Sequence, residues 1–506
     1  MRVRASMVLV FGLLSLSAFA TDYGWDGAGG TPGWGNVTNW VPDAAPGDPA
    51  ADDTVSAPGD GSVLDTNRTI RALRVNASGA PLSRSVSLGA WRLAVTDDLE
   101  VGISGADRQG SNLVLSNGVL AVGSDLSAGR IAVARALGAS GVDHYGTLDI
   151  SGCTVTGILS ELSIGVQGEQ VNGAHGVVRL GEADISASTI NVGQDRWSNG
   201  RLLCSAGTRL DAGSFYVGRN AGWQNSHVDV SNGTLVVRNV LSLMETGQGY
   251  TQAQKPTATL TVGPQGCVML GSVSNRAASL VLCRSSFSGV DYYGTLDCSA
   301  GTFIGYVSTV YVGRSVSGTP GSHGTLKLGR GVLDATSMTV SGVAWDWGCR
   351  VELDGTDANI QTLSVQYPTS GGSHPYWEMR GGAVVRVDGS VSFTGSSSTL
   401  RSKVTGAPTG FWLADGAGLS LVPAMQIEFH DPDSGFQGHY WGFAWSGSHS
   451  NSVQSLVDTG KVTWDDTTYL SSDYAGTASV YYDLPTDTTY VGLIVPVPPA
   501  LLLLVR

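Results

Sequence analysis

Short apolar segments recur along the chain between residues 100 and 395. Each reads apolar, small, apolar, and then usually glycine or another small residue. Successive copies lie 25 to 32 residues apart, except for one gap of 39 that spans the polar stretch 246–256. A fixed period of this size is typical of repeat architectures, whose units stack on one another. The ten copies lie at Leu99, Ile131, Leu162, Ile190, Phe215, Leu243, Leu282, Val310, Met338 and Leu363.

A longer internal repeat shows that this period is kept over a large part of the chain. The sequence of residues 140–149, SGVDHYGTLD, returns at residues 288–297 as SGVDYYGTLD, an offset of 148. The same offset aligns Gly165 with Gly313 without a gap. Because 148 residues are about five periods, the pattern indicates stacked coils and not the core of one globular enzyme.

Each period contains three short segments with the alternation of β-strands. Residues 146–150 alternate, Ser151 and Gly152 supply a turn, and residues 153–156 and 158–164 follow as further strands. The sequence therefore predicts an all-β protein. We expect a right-handed parallel β-helix of about ten coils over residues 71–400, about 48 Å long at about 4.8 Å per coil. A row of sandwiches or a propeller is the competing interpretation, although propeller blades need about 40 residues or more.

The repeated motif also predicts one interior ladder. The second apolar residue of the motif holds the same place in each period, and a buried face requires apolar side chains there. We expect eight of these residues to stack in the core: Val101, Val133, Ile164, Val192, Val217, Val312, Val340 and Val365.

Two flanking segments differ from the repeats. Residues 21–70 set tryptophans among glycines and prolines, and we expect them to cap the open end of the solenoid. Residues 401–490 lose the period and gain aromatic residues, which predicts antiparallel strands in a terminal cap or small β-sandwich. The aromatics, which would form its core or a sugar-stacking platform, are Phe429, Phe436, Tyr440, Trp441, Phe443 and Trp445.

The two ends of the chain predict export. Residues 1–20 combine Arg2 and Arg4, a short apolar run and the sequence Ala18-Phe19-Ala20, which are the parts of a secretory signal peptide. Residues 491–506 carry prolines, a six-residue apolar block and Arg506, as in a C-terminal sorting tail. That block is far shorter than the ~20 residues of a spanning helix, so we expect no stable transmembrane segment.

Composition narrows the function classes. The formal net charge is −13, and removal of two arginines with the signal peptide would make it −15. Lysine occurs four times, so the clustered basic face typical of nucleic-acid binding is missing and we expect no such partner. The six cysteines show no C-x-x-C pair. Two alternatives remain for them: buried free thiols, or one or more disulfides.

The chain resembles a known group of exported proteins. The likeness rests on the opening Trp25-Asp26-Gly27 to Asn39-Trp40, on the closing stretch from 458 to 466, and on the Val-Pro-x-Pro tail. These features resemble the large PEP-CTERM proteins of the Verrucomicrobia, Lentisphaerae and Planctomycetes. The resemblance implies sorting by an exosortase to the cell surface or matrix. Val497 stands where that family has glutamate, and the tail is shortened.

One cluster has residues that ligate metals. His430, Asp431, Asp433 and His439 lie within ten residues and could hold a cation. Asp-Pro-Asp-Ser-Gly is also ordinary turn chemistry, and a calcium loop has more oxygen ligands. We therefore favour a turn and expect no cofactor, with calcium as the alternative.

The predicted rod carries carboxylates that a polysaccharide-cleaving enzyme could use: Asp97, Asp98, Glu100, Asp143, Asp149, Asp291 and Asp297. Asp149 and Asp297 are repeat equivalents, which favours a structural role. Four arginines follow the motif and suggest a solubilising cationic ladder: Arg135, Arg219, Arg284 and Arg314. The sequence favours an exported, non-catalytic structural or surface protein, associated with adhesion or exopolysaccharide. The alternative is a β-helix polysaccharide lyase or glycoside hydrolase.

Overall fold

The structure is a computed structural model of the chain. It describes residues 21–46, 52–77, 80–103, 110–136, 143–167, 173–195, 197–220, 225–246, 255–285, 291–315, 322–341, 349–366, 375–394, 400–405, 409–421, 425–429, 438–465 and 478–495.

The described residues form a parallel β-solenoid of about 12 turns, with 72% of them in strands and 3% in helix. The predicted all-β class and parallel stacking are therefore confirmed, with slightly more coils than the ten expected. Within the described ranges, a single 3-10 turn spans Val37–Asn39, and one α-helix, α1, spans Ser450–Asp458. The strands are β1 Asp22–Trp25, β2 Trp40–Val41, β3 Thr54–Ser56, β4 Ser62–Val63, β5 Arg68–Val75, β6 Leu82–Val101, β7 Gly110–Val122, β8 Gly129–Ala136, β9 His144–Gln167, β10 Ala174–Leu180, β11 Ala183–Gln194, β12 Asn199–Cys204, β13 Thr208–Arg219, β14 Ser226–Val230, β15 Thr234–Thr246, β16 Thr257–Val262, β17 Cys267–Gly271, β18 Ser279–Ser285, β19 Tyr292–Ser315, β20 Ser322–Ser341, β21 Arg350–Asp354, β22 Thr356–Gln366, β23 Tyr376–Arg380, β24 Val384–Thr394, β25 Leu400–Thr405, β26 Gly410–Leu413, β27 Gly418–Leu421, β28 Met425–Phe429, β29 Gly438–Ser446, β30 Val462–Asp465, β31 Ser479–Asp483 and β32 Thr488–Val495.

Each coil contributes to three parallel ladders, which we call faces A, B and C in chain order. On face A, β10, β12, β14 and β16 pair in succession, each with its equivalent one coil away. β11 and β13 run through faces B and C, pairing as 183–187 with 208–212 and then as 189–194 with 214–219. Because side chains alternate along a strand, each face presents one apolar row inward and one polar row outward.

The interior ladder lies on face C, as the motif predicts. All eight residues expected there are buried with 0% exposure. The ladder is longer than expected, because in-register pairing continues it in both directions. Its thirteen positions are Val75, Val101, Val133, Ile164, Val192, Val217, Leu243, Leu282, Val312, Val340, Val365, Phe393 and Leu421. Twelve steps of about 4.8 Å give a rod about 58 Å long.

The residue that ends the motif, usually a small one, has a left-handed backbone conformation in eight of the ten copies. It turns the chain out of face C with a left-handed backbone, which glycine adopts at least cost. The residues with positive φ at this corner are Gly102, Ala134, Gly165, Gly193, Gly218, Met244, Cys283 and Gly313.

Two tryptophans of the N-terminal segment are buried in the core. Trp34 and Trp40 have 0% exposure and belong to the same continuous core as the coils. The ring of Trp40 meets those of Tyr23, Trp25 and Trp34 edge-on. β1, β3 and β5 also pair in parallel, so the stack of strands begins within this segment, and the capping role of residues 21–70 stays a prediction.

The parallel ladder continues past residue 400, where we expected the solenoid to end. On face A, β23, β25, β28 and β30 pair in parallel order, which carries the stack to Asp465. Among the described strands, antiparallel pairing occurs at the two ends: β1 joins β2 at the start, and β32 joins both β29 and β31 at the end. The segment 401–490 is thus partly further coils and partly an antiparallel cap. The further coils were not predicted because their strands, which include Ser392 and Ser420, keep the alternation without the glycine that marks the motif.

The stretch assigned to a sorting tail begins inside the fold. β32 runs to Val495, and Val491 is fully buried in the core. Residues 496–506, like residues 1–20, lie outside the described part. Among the described residues, no helix is long and apolar enough to cross a membrane.

Candidate functional site

The carboxylates of Asp98 and Glu100 are joined to arginines of neighbouring coils. On the outer side of face C, Arg130 Nε lies 3.1 Å from Asp98 Oδ1, and Arg130 Nη2 lies 2.5 Å from Glu100 Oε1. Arg74 Nε lies 2.9 Å from Glu100 Oε2. The Glu100 side chain is only 10% exposed. These carboxylates act as counter-ions that tie three coils together, and Asp97 beside them is exposed.

Asp149 and Asp297 hold equivalent turns on face A. Each Oδ1 accepts two hydrogen bonds from the serine two residues on, Ser151 or Ser299, from the backbone N–H at 3.1 Å and the hydroxyl at 2.6 Å. Identical bonding at repeat-equivalent positions agrees with the structural role that the sequence favours for this pair.

Asp143, by contrast, belongs to a polar cluster that the sequence did not predict. The rings of Tyr145 and His175 stack at the start of face A, with centroids 4.6 Å apart and planes 23° apart. His175 Nδ1 lies 3.1 Å from Asn199 Oδ1, and His175 Nε2 lies 4.0 Å from Asp143 Oδ2. Asp143 Oδ1 also accepts the Gly173 N–H at 2.9 Å. The imidazole is thus hydrogen-bonded to an amide on one side and lies close to a carboxylate on the other.

The same cluster occurs a second time, 148 residues later. Tyr293 and His323 stack with centroids 4.4 Å apart and planes 8° apart, and His323 Nε2 lies 3.2 Å from Asp291 Oδ1. Along face A the row runs from Tyr145 through five coils to Tyr293. The two clusters are therefore about 24 Å apart on one side of the rod. The histidines could have been found from the sequence, because 175 and 323 share the offset of the longer repeat.

The two clusters differ in what covers the tyrosine. At the second, Lys255 Nζ lies 5.8 Å from the centroid of the Tyr293 ring and 3.8 Å from Asp291 Oδ2. At the first, the neighbouring residue of the row is Gly110, as Thr257 is at the second, and residue 108, the counterpart of Lys255, lies outside the described residues. Tyr145 is 43% exposed.

A concave pocket of about 560 Å³ opens beside Tyr145. Its lining comes from four consecutive coils of face A and combines rings, amides and a guanidinium: Tyr145, His175, Asn199, Arg201, Asn225 and His227. Burial lowers the pKa of His227, the nearby Asp229 carboxylate opposes this, and Arg201 adds to the lowering. His227 is therefore neutral near pH 7, and Arg201 supplies the positive charge of the pocket.

A second pocket, of about 410 Å³, lies on the outer side of faces B and C. Arg276, Asp334, Asn359 and Asp388 are among its lining residues. Arg276 and Asp334 form a bidentate pair with N–O distances of 2.7 and 2.9 Å.

The arginines at the motif corner do not form one uninterrupted row. Arg284 and Arg314 are paired in register, but Arg135 pairs with Val166. Arg284 also contacts the Glu245 carboxylate at 3.2 Å. The expected cationic ladder is therefore interrupted by other residue types and partly neutralised.

The proposed metal ligands cannot be placed together. His430, Asp431 and Asp433 lie outside the described residues, and His439 is described only as backbone, paired with Ile494. No group of three or more metal-ligating side chains occurs within the described ranges.

The C-terminal aromatics are mostly core residues. Phe429, Trp441 and Phe443 have exposures of 0%, 4% and 1%. Trp445 stacks on His449 with centroids 4.3 Å apart, while the side chains of Phe436 and Tyr440 lie outside the description. For the three buried rings, the core interpretation holds.

All six cysteines are free thiols, and five are buried: Cys153, Cys204, Cys283, Cys298 and Cys349. Burial raises the pKa of Cys204 and Cys349 to about 12. They fill the core as small apolar side chains, which is one of the two alternatives left open by the sequence.

Together, the fold and its surface define the chain as a parallel β-solenoid with a duplicated tyrosine–histidine–aspartate cluster on face A. Comparison of the chain with known family models, with curated proteins and with solved structures finds no match.

Proposed function

We propose that the protein is an exported, non-catalytic structural protein of the cell surface or extracellular matrix. The observation that supports this most strongly is the unbroken face C ladder of thirteen positions inside one continuous core. Such a ladder makes a stiff rod whose outward rows repeat every coil, and repeat proteins use such extended surfaces for contact with large partners. A rod of about 58 Å holds these rows at fixed spacing.

The state of the surface carboxylates favours the same function. A glycoside hydrolase needs two carboxyl groups that are available to act as acid, base or nucleophile. The carboxylates of Asp98 and Glu100 are bound by arginines, and those of Asp149 and Asp297 hold turns. These four candidates therefore have structural partners.

The location is proposed from the two ends of the sequence. Residues 1–20 would direct export, and the Val-Pro-x-Pro tail would pass the protein to an exosortase-like sorting system, as in the PEP-CTERM proteins. The partners would then be polysaccharide or the cell envelope. The net charge of −13 argues against nucleic acid.

A polysaccharide lyase or glycoside hydrolase is the second candidate. The pocket of about 410 Å³ favours it, because Asp334 and Asp388 both line this concave site. Its weakness is that Arg276 holds Asp334 in a bidentate ion pair. Both carboxylate oxygens of Asp334 are therefore occupied by the guanidinium and are not available to a substrate.

Incubation of the purified chain with acidic and neutral polysaccharides distinguishes the two candidates. We expect polymer length, measured by size-exclusion chromatography, to stay unchanged over a day. If wild type shortens a polymer and the Asp388→Asn variant does not, the protein is an enzyme and the structural role is overturned. Asp354→Asn, an exposed carboxylate outside this pocket, is the matched control.

A further inference from the structure

The two copies of the tyrosine–histidine–aspartate cluster allow a comparison within one molecule. Both carry the same ring stack and the same aspartate, so the stack itself is a feature of the repeat. They differ at the outer ring face, where Lys255 lies over Tyr293 while Tyr145 is left 43% exposed. An exposed aromatic ring held rigidly by a stacked and braced imidazole is a surface ready to receive a flat apolar face.

The pocket beside Tyr145 has the size and the polar groups of a ligand site. Its volume of about 560 Å³ lies within the range of ~300–1,000 Å³ typical of such sites. Asn199 and Asn225 each offer a carbonyl acceptor and an amide donor to it. A pyranose ring presents both a C–H face, which stacks on an aromatic ring, and hydroxyls that bind such amides. The lining therefore suits a sugar better than a purely apolar ligand.

Arg201 adds a charge requirement. Other arginines of face A have carboxylate partners: Arg179 lies 3.6 Å from Asp149, and Arg350 binds both Glu352 and Glu378. Arg201 is exposed and has no carboxylate within 4.0 Å among the described residues. Its guanidinium can therefore bind a ligand carboxylate in a bidentate manner. Tyr145 and Arg201 lie two coils apart, about 10 Å along the rod. His175 stacks on the Tyr145 face that is turned toward Arg201, so the free face of the ring is the one next to Gly110. One ligand would therefore reach that face and Arg201 only as an oligomer that passes over His175.

We propose that a carboxylated polysaccharide lies along this pocket, with one sugar ring stacked on the free face of Tyr145 at the edge of the pocket and a carboxylate held by Arg201. The inference rests on the proposed function, which places the rod in a polysaccharide matrix, and it names the chemical class of the partner. No bond is made or broken. The Tyr293 cluster, whose ring is covered by Lys255, is a related surface that does not take a sugar ring.

The test uses the full chain and three carboxylated polymers, polygalacturonate, alginate and hyaluronate, each beside its neutral carboxyl-reduced form. Binding is measured by affinity electrophoresis and calorimetry for wild type, Tyr145→Ala, Arg201→Gln and Tyr293→Ala. We expect Tyr145→Ala to weaken binding of at least one acidic polymer tenfold or more. Arg201→Gln should weaken binding of that polymer but not of its neutral form, and Tyr293→Ala should bind as wild type does.

Equal binding by wild type and Tyr145→Ala, or no binding of any acidic polymer, would overturn the proposal. So would equal losses for Tyr145→Ala and Tyr293→Ala, because the comparison of the two clusters would then be wrong. Circular dichroism and thermal midpoints check that each variant is folded. If no such binding is found but the protein is located on the cell surface, only the polysaccharide proposal fails and the proposed function stands. An intracellular location would contradict the proposed function itself.

Discussion

The thiol of Cys349 occupies the space that a side chain at Gly313 would need. Gly313 lies at the left-handed corner with φ of 67°, and a Cβ built there would overlap Cys349 Sγ one coil further on. The reverse arrangement occurs nearby, where Cys283 carries the side chain and Gly294 lies opposite. The corner at Gly313 is therefore filled by the thiol of the next coil.

Gly313→Ala should be strongly destabilising. The left-handed backbone costs an alanine about 1–2 kcal/mol, and overlap with the thiol adds about 1–3 kcal/mol. The matched control is Gly460→Ala, because Gly460 has φ of 66° with nothing within 4 Å of a built Cβ. It should show the backbone cost alone in urea denaturation. In a Cys349→Ala background the cost of Gly313→Ala should fall but stay above that of the control, because the Ser322 carbonyl oxygen still lies 2.8 Å from the built Cβ. An unchanged cost would contradict the overlap with the thiol.

Shortening a side chain of the interior ladder should be far more damaging than the same change on the outer surface. Ile164 has 0% exposure and Ile158, six residues earlier, has 36%. Ile164→Ala should lower the free energy of unfolding by about 2–5 kcal/mol because it leaves a cavity. Ile158→Ala should cost much less. Equal losses would contradict the difference in burial, and reversed losses would indicate that the strand is shifted by one residue from the register described.

The Glu100 carboxylate should stabilise the first coils measurably. It binds Arg74 at 2.9 Å and Arg130 at 2.5 Å with its side chain only 10% exposed. Glu100→Gln should cost about 1.5–3 kcal/mol, as for hydrogen bonds to charged groups. Asp354→Asn, which breaks an ion pair whose partners are 44% and 49% exposed, should cost less than about 1 kcal/mol. Similar costs for both variants would contradict the difference in burial.

The buried thiols predict a loss of stability at alkaline pH. Burial raises the pKa of Cys204 and Cys349 to about 12, above the value of about 8.5 in the unfolded chain. Between these values the unfolded state releases protons that the folded state keeps, so stability falls as pH rises above about 9. Below pH 8 these groups should have no effect. The urea midpoint of wild type against Cys204→Ala, measured from pH 7 to 10.5, checks this, and parallel profiles would refute it.

Thiol modification provides a related check on the cysteines. At pH 8 the five buried thiols should resist iodoacetamide in the folded protein, and Cys267, which is half-buried, should react first. In denaturant all six should react. Mass spectrometry that finds fewer than six reactive thiols in the unfolded, unreduced chain would show a disulfide.

The sequence predicts the solenoid well because its core depends on a local pattern. Val192 and Val217 repeat in the chain, and repetition alone brings them together in space. The stack of Tyr145 on His175 was not predictable in this way, because it depends on which outward residues share a row, and the coil length varies. The continuation past residue 400 was missed since Leu419 and Leu421 keep the strand alternation without the glycine that marks earlier coils.

The most direct test of the account is the location of the protein on intact cells. Antibodies against the folded rod should label the surface or the surrounding matrix of cells that have not been permeabilised. A chain lacking residues 496–506 should be exported but recovered in the medium, because the sorting tail is missing. Label found only after permeabilisation, or a full-length form that fractionates as an integral membrane protein, would contradict the proposed function.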